Sequence, residues 1–174
     1  MDYKQLFYET RDYAIKAHGG QKYGLYPYEI HLGNVVSVLV RYDIRPVNQY
    51  HYELLASAWL HDVLEDTEIT KEELSAGFGD KIAAIVYALS DDKGGSRAER
   101  KANFYTKIYG NEDAMIVKLA DRIANVEFCL VHHNEEKYQV YEVEQVKLNE
   151  VFSAAIQSEL GIELLAYLNN LFTW

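Results

Sequence analysis

The sequence predicts an all-α bundle folded as a single domain. Three observations predict it. Only two prolines interrupt the 174 residues, so few positions forbid a helical hydrogen bond. Apolar residues recur at helical spacing over long stretches, and no stretch shows the strict alternation of a half-buried strand. The breaks between these stretches carry helix-ending glycines and helix-starting caps.

Residues Tyr3 to His18 place Leu6, Phe7, Tyr13, Ala14 and Ala17 on one helical face, and Gly19-Gly20 ends that helix. A loop rich in Gly and Tyr runs to Pro27. A second helix covers Ile30 to Val40, and the Asp43-Ile44-Arg45-Pro46 turn separates it from a third, Gln49 to Asp62. Thr70-Lys71-Glu72-Glu73 is a capping-box pattern, with Thr70 as N-cap and Glu73 three residues on. That helix stops near Gly77-Phe78-Gly79, and Asp80 caps another running to Ser90. After a loop from Asp91 to Ser96, helices are expected over Arg97 to Tyr109 and Asn111 to Leu130. A long helix from Glu135 and a shorter one after Gly161 complete the bundle by about residue 171.

Composition narrows the function. A hydrophobic fraction of 49% with 25% charged residues suits one folded domain with a full-sized core. The net charge of -10 speaks against a general nucleic-acid or anionic-membrane binder, which depends on clustered cations. It leaves room for a nucleotide, because a bound cation and a few lysines reverse the sign locally. Cys129 is the one cysteine, so no intramolecular disulfide is possible; it reads as a packed core thiol, and a reducing compartment fits. No stretch approaches the ~20 apolar residues of a membrane span, and Met1-Asp2-Tyr3-Lys4-Gln5 does not resemble a signal peptide. The cytoplasm is the expected location.

Chemistry concentrates in three separated segments. Pro27-Tyr28-Glu29-Ile30-His31 opens the second helix with a histidine. His61-Asp62-Val63-Leu64-Glu65-Asp66 follows the apolar run Leu54 to Leu60, so its charges lie at the end of a buried helix. Charges in such a place are costly unless paired or bound to a cation. Val117-Lys118-Leu119-Ala120-Asp121-Arg122-Ile123-Ala124-Asn125 sets Asp121 and Asn125 one turn apart. Together His31, His61, Asp62 and Asp121 form a mixed imidazole–carboxylate donor set suited to one divalent ion such as Mn, Fe, Zn or Co. Glu65 and Asp66, one turn beyond, are placed to orient a water and move its proton. Asn125 is placed to bond a ribose hydroxyl or a phosphate oxygen. Lys16, Lys22, Lys93 and Arg97, with Arg100 and Lys101, are candidates to neutralise phosphates.

These segments resemble the HD superfamily of metal-dependent phosphohydrolases, named for its adjacent His-Asp pair. They are most similar to the hydrolase domain of RelA/SpoT homologues and small alarmone hydrolases. Lys16-Ala17-His18-Gly19-Gly20-Gln21-Lys22 resembles that family's first basic segment. His61 to Thr67 is similar to its HDxxED segment, and Lys118-Leu119-Ala120-Asp121-Arg122 with Asn125 to its last metal segment. The resemblance runs from about Leu6 to Val126, in order. It implies an HD-type helical bundle, a bound Mn²⁺, and removal of the 3′-pyrophosphate from guanosine tetra- or pentaphosphate. Leu32 stands where these proteins usually have proline, and Tyr23 lies in a part of the first loop that is often basic. An adenosine alarmone, the 2′-phosphate of NADPH or a similar phosphoester is the alternative substrate, and a non-catalytic nucleotide-binding module ranks below both.

Taken singly, each residue has a plainer reading. His31 alone reads as a cap or core histidine, and Asp121 alone as a surface partner of Lys118 or Arg122. The scattered cations read as ordinary surface charge. His18, His51, His132 and His133 lack supporting spacing. The fifteen tyrosines read mostly as core, with Tyr23, Tyr26 and Tyr28 able to stack on a base. Tyr141, Val143, Val146, Leu148 and Val151 either cover the core or pack on a second copy of the chain.

Overall fold

The computed structural model describes residues 1–173 apart from 92, 93 and 95; the side chains of Arg97, Ala98 and Lys101 also lie outside the description. Helix α1 (Tyr3–His18) begins at Asp2, whose carboxylate accepts from the Lys4 and Gln5 amides, and ends at Gly19 with a positive φ of 54°. Helices α2 (Glu29–Arg41), α3 (Gln49–Leu60), α4 (Val63–Asp66), α5 (Lys71–Phe78), α6 (Asp80–Leu89), α7 (Arg97–Ile108), α8 (Glu112–Val131), α9 (Glu135–Ala155) and α10 (Glu159–Asn170) follow. The all-α expectation holds.

Four details differ from the sequence reading. The loop after α1 contains two short antiparallel strands, β1 (Lys22–Tyr23) and β2 (Tyr26–Pro27). Two-residue strands are too short for alternation to register, although Tyr23-Gly24-Leu25-Tyr26, with Gly24 at φ 60°, carries a two-residue hairpin signature. The third helix stops at Leu60, and His61 and Asp62 form the joint to α4. Gly79 rather than Asp80 is the cap of α6. The last helix starts before Gly161, from a Ser158 cap. A Cβ on Gly161 would meet the Ile156 methyl at 2.5 Å, so only glycine permits this close approach. The expected capping box is present: Thr70 Oγ1 accepts from the Glu73 amide and Glu73 Oε2 from the Thr70 amide.

Helix α3 is the axis of the fold. Every residue from Tyr52 to Leu60 is buried, as expected of a helix surrounded on all sides. It packs against α1, α2, α6 and α8. Helix α8 buries Ala114 to Val117 and Leu119 to Ala124 between α2, α6, α9 and α10. Cys129 is a buried thiol. In α9, Gln145, Leu148 and Phe152 face the core while Val143 and Val146 are 75% exposed. Tyr141 and Val151 are half-buried against the core. A clasp joins three helices: Glu127 of α8 accepts both guanidinium nitrogens of Arg41 (2.9 and 3.0 Å) and the Tyr167 hydroxyl of α10 (2.7 Å). Among the described residues no helix is long and apolar enough to cross a membrane.

Candidate metal centre

The core helices bring the three sequence segments to one point. His31 lies in the first turn of α2, His61 and Asp62 in the joint after α3, and Asp121 in the middle of α8. The facing nitrogens, His31 Nε2 and His61 Nε2, are 3.2 Å apart. Asp121 Oδ1 lies 3.4 Å from the first and 3.8 Å from the second. Asp62 Oδ2 lies 2.8 Å from His61 Nε2 and 3.6 Å from His31 Nε2. Donors held about 2.1 Å from a common ion sit about 3.0–3.4 Å from one another, so the His31, His61 and Asp121 donors are grouped closely enough to share a divalent cation, with Asp62 Oδ2 set against the two imidazoles. Both histidines and Asp121 are buried. His61 Nδ1 lies 2.9 Å from the Ala58 carbonyl, which accepts its proton, so Nε2 is the nitrogen turned toward the centre.

The electrostatics agree with that reading. Burial works against a charge on His31, yet hydrogen bonds to Asp121 and Asp62 outweigh it and lift its pKa to about 9. His61 is raised in the same way: burial opposes its charge, but Asp62 prevails. Burial pushes Asp121 up, but the Lys118 ammonium and the two imidazoles hold its carboxyl well below the usual range. Asp62 is also lowered, its two histidine neighbours overcoming burial. Protons and positive charge thus stand in for a cation among these four groups. Lys118 Nζ is 2.9 Å from Asp121 Oδ2 in a largely buried pair, so Asp121 is not part of a solvated face.

The acids of α4 are both exposed and each has a partner from another segment. Glu65 Oε1 accepts from the Asp91 amide at 2.7 Å, and burial, aided by Asp62, raises its pKa despite that bond. Asp66 Oδ2 accepts from Gln21 Nε2 at 2.7 Å, and Gln21 Oε1 is 2.8 Å from His18 Nδ1. Asn125 Nδ2 donates to Asp121 Oδ1 at 2.5 Å, and its carbonyl accepts from the Tyr23 hydroxyl at 2.8 Å. Both ends of that amide are therefore engaged around a ligand carboxylate. Lys16 and Lys22 are exposed on either side of the His18–Gln21 pair. Lys93 and the Arg97 side chain lie outside the described residues, as does that of Lys101. A cavity of about 230 Å³ opens beyond Lys118, lined also by Arg100, Phe104, Tyr105 and Arg122.

Several contributors escape the sequence reading. His18, set aside for want of spacing, is buried and stacked on Tyr28 at 4.6 Å. Tyr23 stacks on His31 at 4.8 Å, and Tyr28 donates its hydroxyl to Asp62 Oδ2. The HxxQ spacing of His18 and Gln21 is a local signal, but their partner Asp66 is far along the chain. Leu32, the departure from the family's proline, is fully buried in the core.

No protein-family model matches the chain. A zebrafish protein named guanosine-3′,5′-bis(diphosphate) 3′-pyrophosphohydrolase MESH1 is 35% identical over 124 residues, 68% of this chain and 66% of that protein. A solved structure, described as a metazoan ortholog of SpoT that hydrolyses ppGpp, aligns at a TM-score of 0.73 with 25% identity, covering 94% of this chain and 93% of that one. The chain belongs to the HD-type ppGpp hydrolase family. Within that family, an Aquifex aeolicus 3′-pyrophosphohydrolase is 30% identical over 134 residues, 74% of this chain but only 18% of that protein. The chain therefore spans about two thirds of its zebrafish relative and under a fifth of this bacterial one. A Listeria monocytogenes structure at 23% identity and a TM-score of 0.61 shares the fold.

Proposed function

We propose that this chain, acting as one HD-type unit over residues 1–174, removes the 3′-pyrophosphate from guanosine tetra- and pentaphosphate with a divalent cation, Mn²⁺. The convergence of His31, His61, Asp62 and Asp121 from distant segments carries the reading, since no structural need calls for two facing imidazoles between two carboxylates. The family relatives named for this reaction support the substrate. Mixed nitrogen and oxygen donors suit a divalent ion such as Mn, Fe, Zn or Co, and the resemblance to the hydrolase family selects Mn²⁺ among them.

When bound, the cation would supply a Lewis acid that acidifies water and offsets phosphate charge. Glu65, its carboxyl raised by burial, accepts the proton of the attacking water. The water oxygen bonds to the phosphorus as the bond between that phosphorus and the 3′ oxygen breaks, pyrophosphate leaves, and Asp66, aimed by Gln21, passes the proton taken from the water on to the 3′ oxygen. Asn125 holds the Asp121 carboxylate and lies within reach of the nucleoside. Lys16, Lys22, Lys93 and Arg97 neutralise the phosphates, and charge stabilisation of this kind is commonly the largest catalytic contribution.

The test is direct. Mn²⁺-loaded protein incubated with ppGpp is expected to release GDP and pyrophosphate in equal amounts. Absence of both products overturns the assignment, and faster turnover of an adenosine alarmone or NADPH moves it to another nucleotide.

A further inference from the structure

Asp62 differs from the other three candidate ligands. Its side chain keeps 20% exposure, against 2–8% for His61, His31 and Asp121. It occupies neither helix: with φ -101° and ψ -3° it forms the joint between α3 and α4 and receives no support from a helical face. A side chain so placed needs an external partner to hold one rotamer.

That partner is the residue that follows the β1–β2 hairpin and caps α2. The Tyr28 hydroxyl donates to Asp62 Oδ2, the same oxygen that faces both imidazoles. The Tyr28 ring is itself fixed on two sides, stacked on His18 at 4.6 Å and edge-on to His31 at 5.5 Å. Its backbone is fixed as well. The Tyr28 amide donates to the Gln21 carbonyl at 3.1 Å, and the Tyr28 carbonyl accepts from the His31 amide at 2.9 Å. One residue thus starts the helix that bears His31 and holds the carboxylate that follows His61.

We infer that Tyr28 is a positioning residue for the cation site, setting the orientation of Asp62 and coupling it to His31. The inference rests on the metal-centre reading above. It assigns Tyr28 to the centre itself rather than to stacking on a base. A hydrogen bond to a ligand carboxylate fixes the oxygen's direction, and losing such a bond weakens metal affinity by roughly 10- to 100-fold.

The experiment measures Mn²⁺ binding to the full chain without nucleotide, by electron paramagnetic resonance or calorimetry. Tyr28→Phe keeps the ring contacts and removes only the hydroxyl. It is expected to raise the Mn²⁺ Kd roughly 10- to 100-fold, with the nucleotide KM unchanged at saturating Mn²⁺. Tyr26→Phe, in the hairpin just before Tyr28 but packed against Phe128 and His132, is the control and is expected to leave the Kd unchanged. An unchanged Kd in Tyr28→Phe with a raised nucleotide KM overturns the inference and makes the ring a wall of the nucleotide site. An equal loss in Tyr26→Phe also overturns it, by assigning the effect to the hairpin at large. A wild-type chain that binds no Mn²⁺ removes the metal centre, and this inference with it.

Discussion

His61 and Asp62 are neighbours in sequence but are held by different means. His61 is 2% exposed, its ring fixed by the helix that carries it through the Ala58 carbonyl. Asp62 keeps 20% exposure and depends on a phenol from another element. The same division separates the rest of the site. His31 and Asp121 are set by buried helices, whereas Glu65 and Asp66 lean on the Asp91 amide and the Gln21 side chain. The helix-borne half is positioned by folding itself; the acid turn is positioned by surface segments packed onto it.

The largest expected effect tests the rigid half. Asp121→Ala should abolish cation binding and lower kcat/KM on the order of 10⁴-fold or more, with the loss read in both a Mn²⁺ titration and a ppGpp assay. Retained binding would show that the buried half is not what holds the ion. Glu65→Gln probes the acid turn. It keeps an acceptor for the Asp91 amide, so Mn²⁺ affinity should be preserved while kcat falls roughly 10²- to 10⁴-fold. Parallel loss of affinity and rate would erase the distinction between the two halves.

Stability against pH sharpens the comparison next. In the cation-free chain, His31 at about 9 holds a proton that an unfolded histidine sheds near 6.5. Its contribution is complete below 6.5 and lost as pH rises through about 9. Asp62 and Asp121, both lowered from 3.8, contribute above that value and lose their contribution as pH falls through their depressed pKa values. The cation-free Tm should therefore peak between pH 3.8 and 6.5 and drop by roughly several degrees toward pH 9. Saturating Mn²⁺ should remove the alkaline decline, because the cation replaces the proton on His31. A flat cation-free profile in differential scanning fluorimetry would refute the proposed proton for cation exchange. The smallest effect is expected at the rim: Lys22→Ala should raise the nucleotide KM by less than about fivefold and leave Mn²⁺ affinity alone.

The residues of both halves are legible in the sequence, but only the helix-borne half shows there what holds it in place. An apolar run ending in His-Asp, and Asp121 with Asn125 one turn on, are periodic patterns that a helix converts into a face. The end of α1 and both ends of α5 follow from the glycines and the capping box that flank them. The acid turn's supports are not legible, because Gln21 and Tyr28 meet Asp66 and Asp62 across 45 and 34 positions of chain. Lys118 and Asp121 could be seen as an i,i+3 pair, but only the surrounding packing makes that pair buried. Lys16 and Lys22 are exposed, and nothing in composition separates a phosphate-facing lysine from any other.

The clasp at Glu127 extends this dependence to the far end of the chain. Arg41 closes the helix that begins beside His31, and through Glu127 it is tied to Tyr167 in the last helix. A chain cut short before residue 167 lacks one arm of the tie, and Arg41 alone then holds Glu127 against the helix that carries Asp121.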